Sequence, residues 1–247
     1  MIYITGDMHA EFDRIMYLAE KMNKDDILIV AGDFGIWNNS PREQYYFKNI
    51  SKLDITVLFV DGNHENFDML NSFEIKEWNG GKIHEIKPNI IHLMRGQIYN
   101  INNCSILTFG GAKSHDIQDG ILDPKDPDFK IKKQRLKKQG KYMWRVKNQT
   151  WWPEEMPSDE EYNECLKNLE KCNYKVDYII THCGPKSVVQ MGTGINDSDK
   201  LTDFFETINS KIDYKHWYFG HYHKDTEITR KHTLVFENMK ELIKHET

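Results

Sequence analysis

Short apolar runs alternate with stretches of helical spacing along the first 110 residues of the chain. Apolar runs that predict strands lie at 2–5, 27–31 and 56–60. The middle run is apolar throughout, which is typical of a strand covered on both faces. Apolar spacing predicts a helix at 12–22, and Pro41 suits the first position of a second helix that ends near Leu53. The order βαβαβ predicts an α/β fold.

From residue 82 onward the predicted elements are shorter. Strand-like runs at 82–86, 90–93, 97–101 and 105–109 predict a meander. Ser158 and Glu161 form a capping-box pattern, which predicts a helix from Ser158 to about Lys171. The remaining predicted elements are a strand at 178–181, a helix at 201–212, a strand at 217–219 and two short strands near 226–229 and 233–236.

The 113–157 segment interrupts this pattern. It is polar, it contains four prolines, and it follows the glycine pair Gly110-Gly111. We predict that residues 1–247 form one domain and that this segment is an insertion into it, ordered at least in its second half. That half carries Trp144, Trp151 and Trp152. We expect these rings to pack the segment onto the body of the domain; stacking on a substrate ring is the alternative.

Positive charge is concentrated in the same segment. Between Lys125 and Lys147 there are ten Lys and Arg residues against two Asp, a net charge of +8, while the rest of the chain carries −13. Two interpretations stay open. The segment is either a basic patch that recruits a phosphate-bearing substrate or an ordinary solvated surface.

The bulk composition indicates a soluble globular protein. The chain has 247 residues, of which 39% are hydrophobic and 29% charged. No run approaches the roughly 18 apolar residues of a membrane span, and the N-terminal residues lack a signal-peptide pattern. The four Cys residues form no CxxC motif, which favours reduced thiols and a cytoplasmic location.

Five short motifs place metal-binding residue types directly after predicted strands. They are Gly6-Asp7-Met8-His9, Gly32-Asp33-Phe34-Gly35, Gly62-Asn63-His64-Glu65, Thr181-His182-Cys183 and Gly220-His221-Tyr222-His223. In an α/β sheet, the loops at the carboxyl ends of the strands form the site. Carboxylate, amide oxygen and imidazole suit hard or borderline divalent cations. A pair of such cations lowers the pKa of a bound water from about 15.7 towards roughly 7–9, and the resulting hydroxide can attack phosphorus.

These motifs resemble those of the calcineurin-like metallophosphoesterase family. The family pattern is GDxH, GDxxx, GNH[DE], a lone His and GHxH, and this chain matches it in order from Asp7 to His223. The resemblance implies a four-layer sandwich of two mixed β-sheets flanked by helices, with the metal site at one edge. It also implies two divalent metal ions, drawn from manganese, iron, zinc, nickel and cobalt.

The resemblance further implies a role for each motif residue. One metal would be bound by Asp7, His9 and His223, the other by Asn63, His182 and His221, with Asp33 bridging both. His64 is not a ligand in the family. It would donate a proton to the leaving group or stabilise phosphate charge, oriented by Asp7 or a nearby carboxylate.

The sequence also supports weaker predictions for several residues outside the ligand set. His115 and Arg95 are candidate substrate contacts, although a surface salt bridge is the simpler expectation for Arg95. Cys183 is expected to be a packed thiol. If His221 and His223 continue a strand, alternation would point both side chains the same way. The remaining histidines are expected to be structural or surface residues: His84, His92, His216, His232 and His245.

The residues beside the motifs restrict the substrate classes that we expect. Relative to the protein Ser/Thr phosphatases of the family, the chain lacks the glycine after His9, the Asp-Arg-Gly after Asp33 and the Arg before Gly62. We therefore predict a phosphatase or phosphodiesterase acting on a small-molecule or nucleotide ester. A nuclease acting on single-stranded nucleic acid is the alternative enzyme. A non-catalytic metal-binding scaffold is the alternative of another class, and it is disfavoured because no ligand is missing.

Overall fold

The computed structural model describes residues 1–196 and 198–242. His245 lies outside these residues. In chain order, the first strands are β1 (Ile2–Gly6), β2 (Ile27–Ala31), β3 (Thr56–Val60), β4 (Ile75–Trp78), β5 (Gly81–Lys87), β6 (Ile90–Leu93), β7 (Gln97–Ile101) and β8 (Cys104–Phe109). They are followed by β9 (Gly120–Leu122), β10 (Trp144–Val146), β11 (Tyr178–Thr181), β12 (His216–Phe219), β13 (Thr226–Thr229), β14 (His232–Leu234) and β15 (Lys240–Glu241). The helices are α1 (Phe12–Ala19), α2 (Pro41–Ile50), α3 (Phe67–Leu70), α4 (Phe129–Lys138), α5 (Asp159–Lys171), α6 (Lys186–Thr193) and α7 (Lys200–Lys211).

Two mixed sheets form the centre of the described structure. The first has the order β15-β1-β2-β3-β6-β5-β4, and the second has the order β13-β14-β12-β11-β8-β7. Strands β1, β2, β3 and β6 run parallel, as do β8, β11, β12 and β14. Parallel neighbours bring their carboxyl ends to one edge, which is where the five motifs follow their strands.

The hydrophobic core explains the layering. One buried cluster lies between the sheets and joins residues such as Ile4, Leu58 and Ile180. A second covers the outer face of the first sheet with residues of α1 and α2, and a third covers the outer face of the second sheet with residues of α5, α6 and α7. Every residue of β2 is buried, as its continuous apolar run predicts. The predicted four-layer sandwich of two mixed sheets flanked by helices is confirmed.

The sequence located the elements well but misjudged some ends. Helix α1 ends at Ala19 and α2 at Ile50, each about three residues earlier than predicted. The capping box of Ser158 and Glu161 is present at the start of α5. Short elements without a strong pattern were not predicted, among them α3, α4, α6, β4 and the pair β9 and β10.

The 113–157 segment has regular structure in both halves. Helix α4 has no buried residue and carries most of the positive charge, while β9 and β10 pair in parallel beside it. The second half packs through Trp152, which is 7% exposed and donates from Nε1 to Asp68 Oδ2 at 2.8 Å. The expected packing of this half onto the body is confirmed for Trp152. Within the described residues, no helix has the length and apolar character needed to cross a bilayer.

Candidate metal centre

The five motifs meet at one edge, where the carboxyl ends of both sheets lie side by side. Asp7 and His9 follow β1, and Asp33 follows β2. The other members follow β3, β11 and β12: Asn63, His64, His182, His221 and His223. Asp7, Asp33, Asn63 and His182 are buried, whereas the His9 and His223 side chains are 27% and 54% exposed. The site therefore has a buried floor and a rim open to solvent.

The backbone at this edge adopts unusual conformations. His9, Asp33, His221 and His223 have φ values of 47°, 49°, 72° and 47°. Residues other than glycine rarely adopt this left-handed backbone conformation, and each instance costs about 1–3 kcal/mol. A Cβ at Gly62 would collide with the Asp33 carboxylate, so glycine is required where the third motif passes Asp33. The chain tolerates strain here in exchange for bringing these side chains together.

The buried imidazole of His182 presents its Nε2 atom to two oxygens, one from Asn63 and one from Asp33. Its Nδ1 lies 2.9 Å from the Ala31 carbonyl, which only accepts, so Nδ1 carries the proton. The Nε2 lone pair of the neutral ring then faces Asn63 Oδ1 at 3.2 Å and Asp33 Oδ2 at 3.4 Å. While the ring is neutral, this nitrogen and these two oxygens all accept, and no donor lies between them. A divalent cation would satisfy all three.

A second group of ligand atoms lies next to the first. Asp7, His9 and His223 each place one ligand atom within 4.8 Å of the others, and Asp7, Asp33 and His182 form a similar group. The Nε2 atoms of His9 and His223 are 3.0 Å apart. Asp33 Oδ2 lies 3.8 Å from His9 Nε2, so this oxygen stands between the two groups. The residues thus fit a pair of neighbouring cations.

The electrostatics of the site match metal ligation. Burial lowers the pKa of His9 to about 4 and also lowers that of His223, which keeps both rings neutral. Burial raises the pKa of Asp7 to about 7. For His182, burial lowers the pKa, but the charges of Asp33 and Asp7 outweigh it and raise the pKa to about 9. A proton bound there is one that a metal would displace.

Asp33 is held in place by the neighbouring loop. Its Oδ1 accepts a hydrogen bond from the His64 backbone N–H at 2.8 Å, which leaves Oδ2 for the site. The buried Glu65 carboxylate accepts from the backbone N–H groups of Phe34, Gly35 and Ile36 at 2.7, 3.0 and 2.9 Å. Glu65 therefore fixes the loop that carries Asp33, a role that the third motif alone did not indicate.

A hydrogen-bonded chain links Asn63 to the 113–157 segment. Asn63 Nδ2 donates to Ser114 Oγ at 3.2 Å, and the Ser114 hydroxyl and backbone N–H both donate to Glu155. Glu155 is 2% exposed and can only accept when ionised, so it sets the direction of the chain. The amide nitrogen of Asn63 is thereby turned away from His182 and its oxygen towards it. Sequence reasoning missed Ser114 and Glu155 because the contact of Ser114 with Asn63 spans 51 positions and that of Glu155 with Ser114 spans 41.

Glu155→Ala is expected to weaken binding of Mn²⁺ about 10–100-fold, the usual cost of losing a partner that orients a ligand. Glu154→Ala is the matched control, since Glu154 is exposed and its side chain takes no part in the chain. Titration calorimetry on chelator-stripped protein measures the affinity, and thermal unfolding of the metal-free variants reports the fold. Equal Mn²⁺ affinity for the two variants would contradict the orienting role of Glu155.

The two candidate substrate contacts lie in different places. The exposed His115 ring lies 4.8 Å from the His221 ring, at the edge of the site, and its contact with substrate stays a prediction. Arg95 forms a salt bridge, as expected, but it is only 6% exposed, so the expected surface position is wrong; its contact with substrate stays a prediction. Its guanidinium donates to Asp61 at 2.9 Å through Nε and to Glu161 at 3.2 Å. The buried pair with Asp61 explains its position beneath the third motif.

The structure also shows the positions of the remaining histidines and of Cys183. His84, His92, His216 and His232 are all buried, which confirms them as structural. The expectation that His221 and His223 continue a strand is wrong, because β12 ends at Phe219 and both have left-handed φ. Their rings diverge, with His221 4.9 Å from the His182 ring and His223 5.1 Å from the His9 ring. Cys183 is 1% exposed and packs in the core, as predicted.

Comparison with known proteins agrees with this geometry. The calcineurin-like phosphoesterase family model matches residues 1–225. The chain is also similar to a lariat debranching enzyme of Schizosaccharomyces pombe, with 28% identity over 126 residues that cover 45% of this chain. The match covers 26% of that relative's length, so the chain corresponds to only part of it. The five motifs, their meeting at one sheet edge and the family match together show that this chain belongs to the calcineurin-like phosphoesterase family.

Proposed function

We propose that the protein hydrolyses phosphate esters with two divalent cations held side by side at the sheet edge. One would be bound by Asp7, His9 and His223, the other by Asn63, His182 and His221. The observation that carries this proposal is the position of Asp33, whose Oδ2 lies 3.4 Å from His182 Nε2 and 3.8 Å from His9 Nε2. A single carboxylate oxygen within reach of an imidazole from each set suits a bridging ligand.

The ligand atoms restrict the range of suitable cations but do not select one metal. Oxygen and imidazole ligands suit manganese, iron, zinc, nickel and cobalt, and no thiolate enters the two groups of described ligand residues. When bound, such a pair activates a water for attack on phosphorus and neutralises charge on the phosphate oxygens. The protein contributes buried, oriented ligands and an open rim, through which the substrate reaches the site.

His64 is proposed as the proton donor to the leaving group. Its ring lies 5.3 Å from the His9 ring, and its side chain is half-buried at the rim. The nearby carboxylate is Asp116. Burial raises the pKa of Asp116, but Arg145 and the charge of His64 outweigh this effect and lower it. We propose that this carboxylate orients the His64 ring for proton donation.

Metal reconstitution tests the proposed function. Protein stripped with a chelator is expected to be inactive and to recover hydrolysis of p-nitrophenyl phosphate or bis-p-nitrophenyl phosphate when Mn²⁺, Fe²⁺, Zn²⁺, Ni²⁺ or Co²⁺ is added. Release of p-nitrophenolate gives the rate, and metal analysis gives the number of bound ions. A recovery that needs one ion per chain would contradict the paired site. Absence of turnover of both esters with every metal would favour the scaffold.

A nuclease acting on single-stranded nucleic acid is the second candidate. It is favoured by the similarity to a lariat debranching enzyme and by the exposed, basic helix α4 of the 113–157 segment. Cleavage of end-labelled single-stranded RNA or DNA by the metal-loaded protein, monitored on a denaturing gel, would support it. Intact strands under conditions in which the p-nitrophenyl esters are hydrolysed would exclude it.

A further inference from the structure

Two clefts open on either side of Trp37, and both reach His9. The first, here called the segment cleft, has a volume of about 440 Å³; His64, Arg145 and Trp152 are among the residues that line it. The second, here called the helix cleft, has a volume of about 370 Å³ and includes three α2 residues in its wall, Arg42, Glu43 and Tyr46. Each volume suits a small organic group, since ligand pockets typically measure about 300–1,000 Å³.

Trp37 forms a rigid wall between the clefts. The residue is 42% exposed, which is unusual for a large aromatic side chain. Its Nε1 donates to the His64 carbonyl at 2.6 Å, and its backbone N–H donates to Glu43 at 2.7 Å. Its own carbonyl accepts from Asn66 Nδ2 at 2.6 Å. An exposed ring that is fixed by one hydrogen bond, on a backbone fixed by two more, offers flat faces on which planar groups can stack.

Each cleft also contains an arginine. Arg145 is paired with Asp116, and its side chain is 34% exposed. Because a guanidinium has five N–H donors, this pair leaves donors that can face the segment cleft. Arg42 is exposed at the helix cleft, with its guanidinium 5.7 Å from the centre of the Tyr46 ring. Both clefts therefore combine a cation and aromatic surface, which suits a planar group close to a phosphate.

We propose that the substrate is a phosphodiester with two bulky arms of nucleotide type, one arm in each cleft and the phosphorus between them beside His9. This inference rests on the proposed function and names its substrate class. A monoester has one arm and would leave a cleft unused. In the reaction, a water oxygen bonds to phosphorus, the bond from phosphorus to one arm breaks, and the leaving oxygen takes up a proton. The products are a phosphate monoester and an alcohol.

The test compares two diesters that differ in one arm. The p-nitrophenyl ester of thymidine 5′-monophosphate and methyl p-nitrophenyl phosphate share the leaving group, the charge and an alkyl second arm. With Mn²⁺-loaded protein, kcat/KM is expected to be about tenfold or more higher for the thymidine ester, since stacking of one base contributes roughly fivefold to 150-fold. Trp37→Ala is expected to remove most of this preference, whereas Trp37→Phe keeps an aromatic wall and should retain part of it.

Substitution of the two cleft arginines shows which arm of the substrate binds in which cleft. Methyl p-nitrophenyl phosphate fills one cleft only, so one of Arg42→Gln and Arg145→Gln is expected to lower its kcat/KM much less than it lowers that of the thymidine ester. That same variant should lower kcat/KM for the thymidine ester about tenfold, as expected for the loss of a charged hydrogen bond. Arg135→Gln is the matched control, because Arg135 is exposed on α4 and lines neither cleft.

The outcomes separate the two proposals. Hydrolysis of both diesters without preference for the thymidine ester, or equal losses on both substrates in both arginine variants, would overturn the two-arm substrate and leave the proposed function standing. Faster hydrolysis of p-nitrophenyl phosphate than of the thymidine ester would also overturn it. No turnover of any ester with any of the five metals would overturn the proposed function, and the two-arm substrate with it.

Discussion

Asp33→Asn is expected to remove most of the bound metal and to lower kcat/KM for phosphate esters by about 10³-fold or more, since the metals supply several kcal/mol of transition-state stabilisation. The expected loss is large because Asp33 is the residue that stands between the two ligand groups. Its Oδ2 approaches an imidazole nitrogen of each, and no other described carboxylate oxygen approaches both His9 and His182 within 4 Å.

The hydrogen bonding of Asp33 predicts how the amide would sit. Oδ1 accepts from the His64 backbone N–H, so the carbonyl oxygen of an introduced asparagine would take that place. Its NH₂ group would then point at His182 Nε2 and His9 Nε2, where the cations are proposed to bind. The substitution would thus replace a bridging acceptor with a donor while leaving the shape of the side chain unchanged.

Metal analysis after gel filtration, together with kcat/KM on p-nitrophenyl esters, measures the effect of Asp33→Asn. Asp203→Asn is a suitable control, because Asp203 is an exposed acid on α7 outside the site. Thermal unfolding in the presence of a chelator shows whether both variants fold. Wild-type metal content with full activity in Asp33→Asn would show that the carboxylate does not bridge.

The proximity of the candidate ligands could be predicted from the sequence, because it depends on local features. A buried run such as β2 predicts a strand without knowledge of its partners, and a glycine at its end predicts a turn. The parallel order of β1, β2 and β3 then brings the motifs to one edge. Asp33 and Asn63 follow two of these strands directly, so their proximity follows from the strand order alone.

The supporting contacts could not be predicted, because they join distant parts of the chain. Arg95 pairs with Asp61 across 34 positions and with Glu161 across 66. Nothing in the residues near Arg95 distinguishes this buried pair from a surface one. The left-handed turn at His221 was missed for a different reason: alternation predicts side-chain direction only while the strand continues, and the end of β12 depends on packing against other strands.

The same limit explains why the clefts were not anticipated. Trp37 reads as a solvent-exposed aromatic in a loop, and only the fold places its ring against the His64 carbonyl and beside His9. Arg145 reads as one of ten positive charges in a basic stretch. The structure separates it from the others, because α4 points its lysines to solvent whereas Arg145 on β10 faces the metal edge. Charge density alone would have pointed to the lysines of α4 instead of Arg145.

His64→Ala is expected to keep both metals and to lower kcat about 10²–10⁴-fold for substrates with poor leaving groups, the usual contribution of general acid catalysis. The ring makes no close approach to Asp33 Oδ2 comparable to that of His9 or His182, and the backbone N–H that supports Asp33 survives the substitution. The ligands should therefore stay in place while the proposed proton donor is lost.

A series of aryl esters measures this role of His64. p-Nitrophenolate departs without a proton, so its ester should lose the least rate, and phenyl phosphate should lose the most because phenolate is the more basic leaving group. The dependence of log kcat on leaving-group pKa should steepen in His64→Ala, with unchanged metal content as the internal control. A uniform loss across the series would assign His64 to phosphate binding, because an interaction with the phosphoryl oxygens does not depend on which group departs.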